Sequence, residues 1–368
     1  MEHQTDMTTA IPAAIETDRP WEKPWPKEGL ETVGKCPVCG EVDRSILHPD
    51  LVDNTFFCAP GVWTLWQCAN CQVAYLDPRP TPETIGLAYK SYYTHVISGS
   101  KVEYQRLSLL QKIRRQMVNG YTKRRYGSSD EPANEIGFCL AYLIPFIKNR
   151  PDRYFRHIPF PNSGSNKLLD VGCGDGGFLL QAKSCGWEVC GVDPDAAAVA
   201  SATAMGLNVY QGGEDYFKGQ KEIFDVITLS HVIEHVHSPR KTIENCFELL
   251  KSGGTIWIET PNIDSFGNQK FGRNWRGLEA PRHLTIFNRR VLHGVLRQSG
   301  FNLPKDVGKP SPTPWTYKAS LAMSMGMSPY SSISAPMSVR CKAHAASFLG
   351  VLQSYRREFL TVTAIKSK

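Results

Sequence analysis

The chain has 368 residues, with 42 Lys and Arg against 35 Asp and Glu and a formal charge of +7 at pH 7. That length accommodates one large domain with a small accessory module, since domains usually run to about 100–200 residues. No stretch approaches the roughly 20 apolar residues of a membrane span, so a soluble, cytoplasmic protein is expected. Of the 11 cysteines, four form two Cys-x-x-Cys pairs and the rest stand singly, which fits a reducing compartment better than a disulfide framework. The charge excess is local. Between Lys101 and Arg125 stand Lys101, Arg106, Lys112, Arg114, Arg115, Lys123, Arg124 and Arg125 against one acid, Glu103, so no nucleic-acid-binding face is expected.

In chain order, residues 1–30 mix Thr, Pro, Glu and Trp without a period and read as a poorly ordered leader. Residues 31–80 read as a zinc-binding module. Cys36-Pro37-Val38-Cys39 and Cys68-Ala69-Asn70-Cys71 are two knuckles separated by 28 residues. Each can supply two thiolates to a tetrahedral ion, and a site closed by four protein ligands is structural. Cys58 and His48 lie in the intervening loop and read as ordinary core or surface residues.

Residues 81–160 read as a helical, basic cap. Val102, Leu107, Leu110, Ile113, Met117 and Tyr121 recur at mostly three- and four-residue steps, an amphipathic helix over 102–126 that Gly127 to Asp130 terminates. Packing on the rest of the chain is the plain expectation for it; peripheral contact of 101–126 with an anionic membrane is the sharper one. The apolar run 138–147 is too short to span a bilayer.

From 161 to 368 strands are expected over 167–171, 188–193, 208–211, 225–230 and 254–259, with helices from Gly177 and Asp195 between them. This is an α/β rhythm, a doubly wound, Rossmann-like parallel sheet. Phe301 opens another strand, a Ser-, Met- and Pro-rich insertion occupies about 310–350, and 359–365 closes the chain as a strand by its Val and Thr content.

The run from Leu168 to Gly177 (LLDVGCGDGG) is a buried strand entering a glycine turn and a helix, a backbone that lets a ligand come close to a helix N-terminus. Asp193, at the end of the next strand, can take both hydroxyls of a ribose. Gly172, Gly174 and Gly177 also satisfy the weak dinucleotide pattern G-x-G-x-x-G. Asp170 argues otherwise: a carboxylate before the glycines suits an ammonium group and would repel a pyrophosphate.

With Asp170, the glycine run and Asp193 so placed, the chain resembles the class I S-adenosylmethionine (SAM) dependent methyltransferases. The segment from Phe224 to Val236 is similar to that family's fourth strand and following loop, and Leu249 to Gly254 to the turn before its fifth strand. The resemblance implies a seven-stranded methyltransferase sheet and SAM contacts from Asp170, Gly172, Gly174, Gly177, Asp193, Glu214, Ser230 and His231. With its four-cysteine module and Leu76-Asp77-Pro78-Arg79-Pro80, the chain also resembles bacterial sugar and glycan-associated methyltransferases. It lacks the length for the large C-terminal domain that the sugar C-methyltransferases carry.

Methyl transfer to a hydroxyl or carbon acid needs a general base. The candidates are His283 first, then His235, with Glu234 beside it. His231 to His235 fits the H-x-x-E-H pattern of inverted zinc peptidases, but it follows a buried strand, so that reading is rejected. Glu234-His235 resembles the Glu-His step of ubiquinone-type O-methyltransferases, some of which bind a divalent ion there. Arg273, Trp275, Arg276 and Arg282 give the downstream loop a basic and aromatic character that suits an anionic or sugar-bearing acceptor. The expected acceptor is a small molecule, a sugar, nucleotide-sugar or glycan intermediate; the alternatives are O-methylation of a quinone-like or phenolic acceptor, or a nucleic-acid-directed methyltransferase or binding protein.

Overall fold

The computed structural model describes residues 19–89, 107–161, 164, 166–308 and 313–367. The first six residues of the basic segment (101–106) and the start of the leader (1–18) lie outside them. Residues 19–30, expected to be loose, are ordered because a large apolar ring is placed among others: Trp25 is buried edge-on against Trp63, and its indole N–H donates to the Gly29 carbonyl at 3.1 Å.

The N-terminal strands are β1 (Leu30–Glu31), β2 (Arg44–Leu51), β3 (Trp63–Cys68), β4 (Ala74–Leu76) and β5 (Arg79–Pro80). Three short helices follow, α1 (Leu109–Tyr126), α2 (Ile136–Leu140) and α3 (Pro145–Tyr154). A capping box starts α1, with Ser108 accepting from the Gln111 N–H and Gln111 reaching back to the Ser108 N–H, and Gly127 in the left-handed region ends it. The apolar run 138–147 is divided between α2 and α3, with Pro145 opening the latter.

The α/β portion follows as β6 (Lys167–Val171), α4 (Gly177–Ser184), β7 (Glu188–Asp193), α5 (Ala196–Ala204), β8 (Asn208–Gln211), β9 (Phe224–Ser230), α6 (Pro239–Leu249) and β10 (Leu250–Pro261). It continues with α7 (Phe266–Phe271), β11 (Thr285–Ile286), α8 (Arg289–Gln298), β12 (Phe301–Asp306), α9 (Thr313–Ser324), α10 (Met337–Leu352) and β13 (Phe359–Lys366). Seven of these strands form one sheet in the order β12-β13-β10-β9-β6-β7-β8. The strands β6 to β10 pair in parallel, and β13 inserts antiparallel between β10 and β12. This is the expected doubly wound sheet. Both faces are covered, which is why β6 and β9 are apolar runs rather than alternating ones. On one face Leu169, Val171, Ile227 and Leu229 meet Ile243 and Cys246 of α6 and Leu292 and Val295 of α8; on the other Leu168, Val189 and Val226 meet Leu179 and Ala182 of α4.

The cysteine-bearing segment does not stand apart from this sheet. Its own four-stranded sheet, β11-β4-β3-β2, is completed by β11 from beyond β10. Cys36, Cys68, Cys71, Val73 and Tyr75 share one apolar cluster with Phe287, Leu292 and Val295. Asn288, the N-cap of α8, donates to the Cys71 carbonyl at 2.8 Å. A knuckle module too small for a core of its own thus takes one from the α/β layer.

The insertion between β12 and β13 resolves into α9 and α10, which pack on each other. The C-terminal half of α1 meets the segment before α2 very closely. A side-chain carbon at Gly120 would fall 1.7 Å from the Asn134 carbonyl oxygen. Gly120→Ala is therefore expected to push the two segments apart and cost about 1–3 kcal/mol, seen as a lower denaturation midpoint with an unchanged slope; an unaltered midpoint would mean that the contact does not form.

Candidate functional site

The site lies at the carboxyl ends of β6, β7, β9 and β10, where an open parallel sheet leaves a crevice for a ligand. The glycine turn after β6 is shaped for close approach. Gly172 and Gly174 have φ of +68° and +54°, and a Cβ at Gly172 would come 2.5 Å from a Val232 methyl. Gly177 starts α4. Asp193, at the tip of β7, accepts the Gly174 N–H at 2.8 Å and the Asp195 N–H at 2.9 Å, so it shapes the turn as well as facing it. Glu214 is nearly buried and accepts from Asn245 at 3.1 Å. Ser230 ends β9, and His231 follows in a left-handed conformation, φ +54°.

Asp170 is fully buried, and burial pushes its carboxyl up. One oxygen, Oδ1, is taken by the Arg156 guanidinium and by Thr228 Oγ1 at 2.8 Å; Oδ2 is buried with no hydrogen-bond partner among the described residues. A bound ammonium would supply the missing donor. Arg156 was not singled out in the sequence. It and His157 have φ of +48° and +51°, a strained pair that turns the guanidinium inward after α3. No local sequence signal marks such a turn.

A second charged group surrounds His231. Its Nδ1 lies 3.2 Å from Glu234 and its Nε2 3.5 Å from Glu259, while its backbone N–H donates to the Glu259 carbonyl at 2.8 Å. Burial would lower the imidazolium, but the two carboxylates prevail and raise it to about 9. Glu259, which burial alone would raise, is held down to about 2 by His231 and Arg153. This cation stands at the loop where the sequence placed only a cofactor contact.

The candidate bases come together from two separate stretches. Glu234, His235 and His283 each offer a ligand atom, all within 4.8 Å of one another. The His235 and His283 rings are edge to face with centroids 4.7 Å apart. His283 Nδ1 lies 2.8 Å from the Gly277 carbonyl and His235 Nδ1 3.0 Å from the Arg282 carbonyl. A carbonyl only accepts, so each Nδ1 carries a proton directed at it. Burial lowers His283 to about 4, which leaves it neutral at neutral pH. Glu234 accepts from Thr260 at 2.9 Å through its other oxygen. Tyr89, also missed, brings its hydroxyl within 3.0 Å of His235 Nδ1. His237 is held instead by the Pro80 carbonyl at 2.9 Å, outside this cluster.

The basic loop departs from its expected role. Arg282 is fully buried and forms a two-pronged ion pair with Asp53 at 2.9 and 2.7 Å. Trp275 donates to Glu358 at 2.9 Å, Arg276 pairs with Glu279, and Arg273 donates to the Asp50 carbonyl at 2.6 Å. These groups have protein partners because the module and insertion close over the loop, which spacing along the chain cannot reveal. Asp53 lies 229 residues from Arg282 and had no signal in the sequence.

The four knuckle cysteines converge. Cys36 and Cys71 sulfurs are 3.6 Å apart, Cys39 and Cys68 3.5 Å, and all four lie within 4.8 Å. Four sulfurs at about 2.3 Å from a tetrahedral centre would sit under 4 Å from one another, so the cluster could hold a metal ion.

Residues 144–305 match the family model described as a methyltransferase domain. With the seven-stranded sheet, this gives that part of the chain a Rossmann-like methyltransferase fold. Over 109 residues the chain is 38% identical to a ubiquinone biosynthesis O-methyltransferase of Pseudomonas fluorescens, covering 27% of this chain and 47% of that one. It is 27% identical over 204 residues to the enzyme of that name from Cereibacter sphaeroides, covering 52% and 82%. The chain spans about half the length of the first of these relatives. A SAM-dependent methyltransferase structure from Archaeoglobus fulgidus aligns at 20% identity and a TM-score of 0.41, covering 63% of this chain and all of that one.

Two tests follow from the charges around the methyltransferase domain. Asp53→Asn leaves Arg282 buried without a full counter-charge and should cost about 3–5 kcal/mol of unfolding free energy; a loss below about 1 kcal/mol would show that Asp53 is not its main partner. The raised His231 contributes stability that is complete below the unfolded value of about 6.5 and disappears as pH rises through about 9. Urea unfolding across that window should show a fall in stability that His231→Gln flattens, and an equal fall in the variant would assign it to another group.

Proposed function

We propose that the chain catalyses SAM-dependent methyl transfer to a hydroxyl of a small phenolic acceptor, with a structural zinc ion in the four-cysteine cluster. The reading is carried by one observation: His283, neutral and with its Nδ1 proton turned to the Gly277 carbonyl, stands with His235 beside Glu234, the last two on the loop that leaves β9 next to the glycine turn. The ubiquinone biosynthesis O-methyltransferases among the relatives support the same acceptor class. A sugar, nucleotide-sugar or glycan acceptor has less support, since the arginines that suited an anion are engaged within the protein.

Bound SAM supplies a methyl group on a sulfonium. Asp193 would take the ribose hydroxyls, Asp170 Oδ2 the ammonium, and Glu214 and Ser230 the edges of the site. As the acceptor oxygen takes the methyl group that bound SAM would supply from sulfur, the acceptor proton would pass to His283 Nε2. Neutral at the start, His283 gains a charge that Glu279, 3.9 Å from Nε2, is placed to balance. In place of that role, His283 with Glu234 and His235 would fit a divalent cation, the two histidine Nδ1 groups being fixed by backbone carbonyls as ligating histidines require. Such an ion would lower the acceptor hydroxyl's pKa.

Calorimetry with SAM and NAD, repeated with Asp193→Ala, tests the cofactor: SAM should bind, NAD should not, and the variant should lose SAM. With catechol-type acceptors, His283→Asn should lower kcat by about 10²–10⁴ and leave the SAM Kd unchanged. Turnover confined to glycan acceptors, or retained in His283→Asn, would sink the proposed acceptor or base respectively.

A further inference from the structure

The helical pair inserted between β12 and β13 presents a face that the methyl-transfer reading does not use. Its second helix, α10, turns Ala343, Ala346 and Gly350 inward against α9, near Tyr317. At 100° per residue, the side opposite those positions carries Met337, Cys341, Phe348, Val351 and Leu352. Met337, Phe348, Val351 and Leu352 are 67, 67, 51 and 71% exposed, and Tyr355, just past the helix, 48%. Scattered exposed apolar residues are ordinary, whereas several on one face of one helix mark an interaction surface. Exposed Arg340 and Lys342 flank this stripe on either side. From Val307 to Arg357 the sequence has no Asp or Glu and six basic residues, Lys309, Lys318, Arg340, Lys342, Arg356 and Arg357.

We propose that this face of α10 docks on an anionic lipid surface. An apolar stripe bordered by Arg and Lys is the pattern of a helix lying in a membrane interface, where the apolar side chains enter the headgroup boundary and the cations meet lipid phosphates. A second copy of the chain fits this face less well, because it would set the exposed cations Arg340 and Lys342 against their own kind. The insertion also adjoins the acceptor side of the site: Ser320 of α9 accepts the Arg276 N–H at 3.0 Å, and Tyr330 lies 3.3 Å from the Arg276 guanidinium. Docking here would hold the acceptor site beside the bilayer. The docking stands independently of the acceptor chemistry.

The full chain should be sedimented with phosphatidylcholine vesicles, with and without phosphatidylglycerol, at low and high salt. Partitioning to the phosphatidylglycerol vesicles should exceed that to the neutral ones by about tenfold and fall with salt. Phe348→Ser with Leu352→Ser, and separately Arg340→Glu with Lys342→Glu, should each reduce it by about tenfold. Far-UV circular dichroism and SAM titration of the same variants should match the parent, since none of these residues touches the candidate site; loss of SAM binding in the parent itself would sink the proposed function and leave the docking result standing. Equal partitioning to both vesicle types, or wild-type partitioning in both variants, overturns the proposal. A dimer that Phe348→Ser with Leu352→Ser dissociates, without vesicle binding, assigns the face to a second copy and overturns it too.

Discussion

The ion pair between Arg282 and Asp53 is the constraint on which the site depends. Both side chains are wholly buried, and removing two such charges from water is expensive unless nearly every donor and acceptor is matched. Here they are matched closely. Asp53 accepts the backbone N–H groups of Thr55, Phe56, Cys58 and Ala59 as well as the guanidinium, and its carboxyl is held down to about 2, the hydrogen bond from Arg282 overcoming burial. Arg282 further donates through Nε to the Ala88 carbonyl at 2.9 Å. Three segments are pinned at one point: the loop after β2, the turn before Tyr89, and the loop that carries His283. The Arg282 carbonyl in turn fixes His235. The cysteine module therefore reaches the acceptor side of the site through one salt bridge and completes a sheet with β11, so it is part of the site's scaffold.

Opposite charges are arranged in two further sets along the carboxyl edge of the sheet. Arg156 satisfies half of Asp170, and Arg153, from the preceding turn of the same segment, reaches Glu259 at 3.2 Å. The α3 region thus closes one side of the crevice with two guanidiniums. His231 bridges Glu259 to Glu234, and Glu234 joins the histidine cluster, so Arg153, Glu259, His231 and that cluster form one continuous charged network. Groups in such a network respond together in a low-dielectric site. A change at Glu259 is felt at Glu234 without any movement of the backbone between them.

The sheet was legible because both of its faces are buried. That forces strands such as LLDV and VITLS to be continuous apolar runs, and the glycine turn and the acid at the tip of β7 follow at fixed distances along the chain. The two knuckles were legible for a similar reason, each being a local turn that brings two sulfurs together. Asp170, Gly172, Asp193, Glu234, His235 and His283 were found in the sequence as residue types suited to their chemistry, and the chain places the last three within reach of each other.

The parallel strands, the ligand-approach turn and the cysteine pairs were legible in the chain alone, because each is written within a few tens of residues and imposed by local backbone geometry or hydrophobic period. Tertiary structure alone decided the partners of charge. Arg282 was read as facing an anionic acceptor and instead meets Asp53; Arg156, unmarked, turns onto Asp170; the stretch around 310–350 becomes a helical pair with an outward apolar stripe. The reason is physical. A buried charge is stable only with a counter-charge in contact, and which residue supplies it depends on how separate segments are packed, information that no short window of sequence contains.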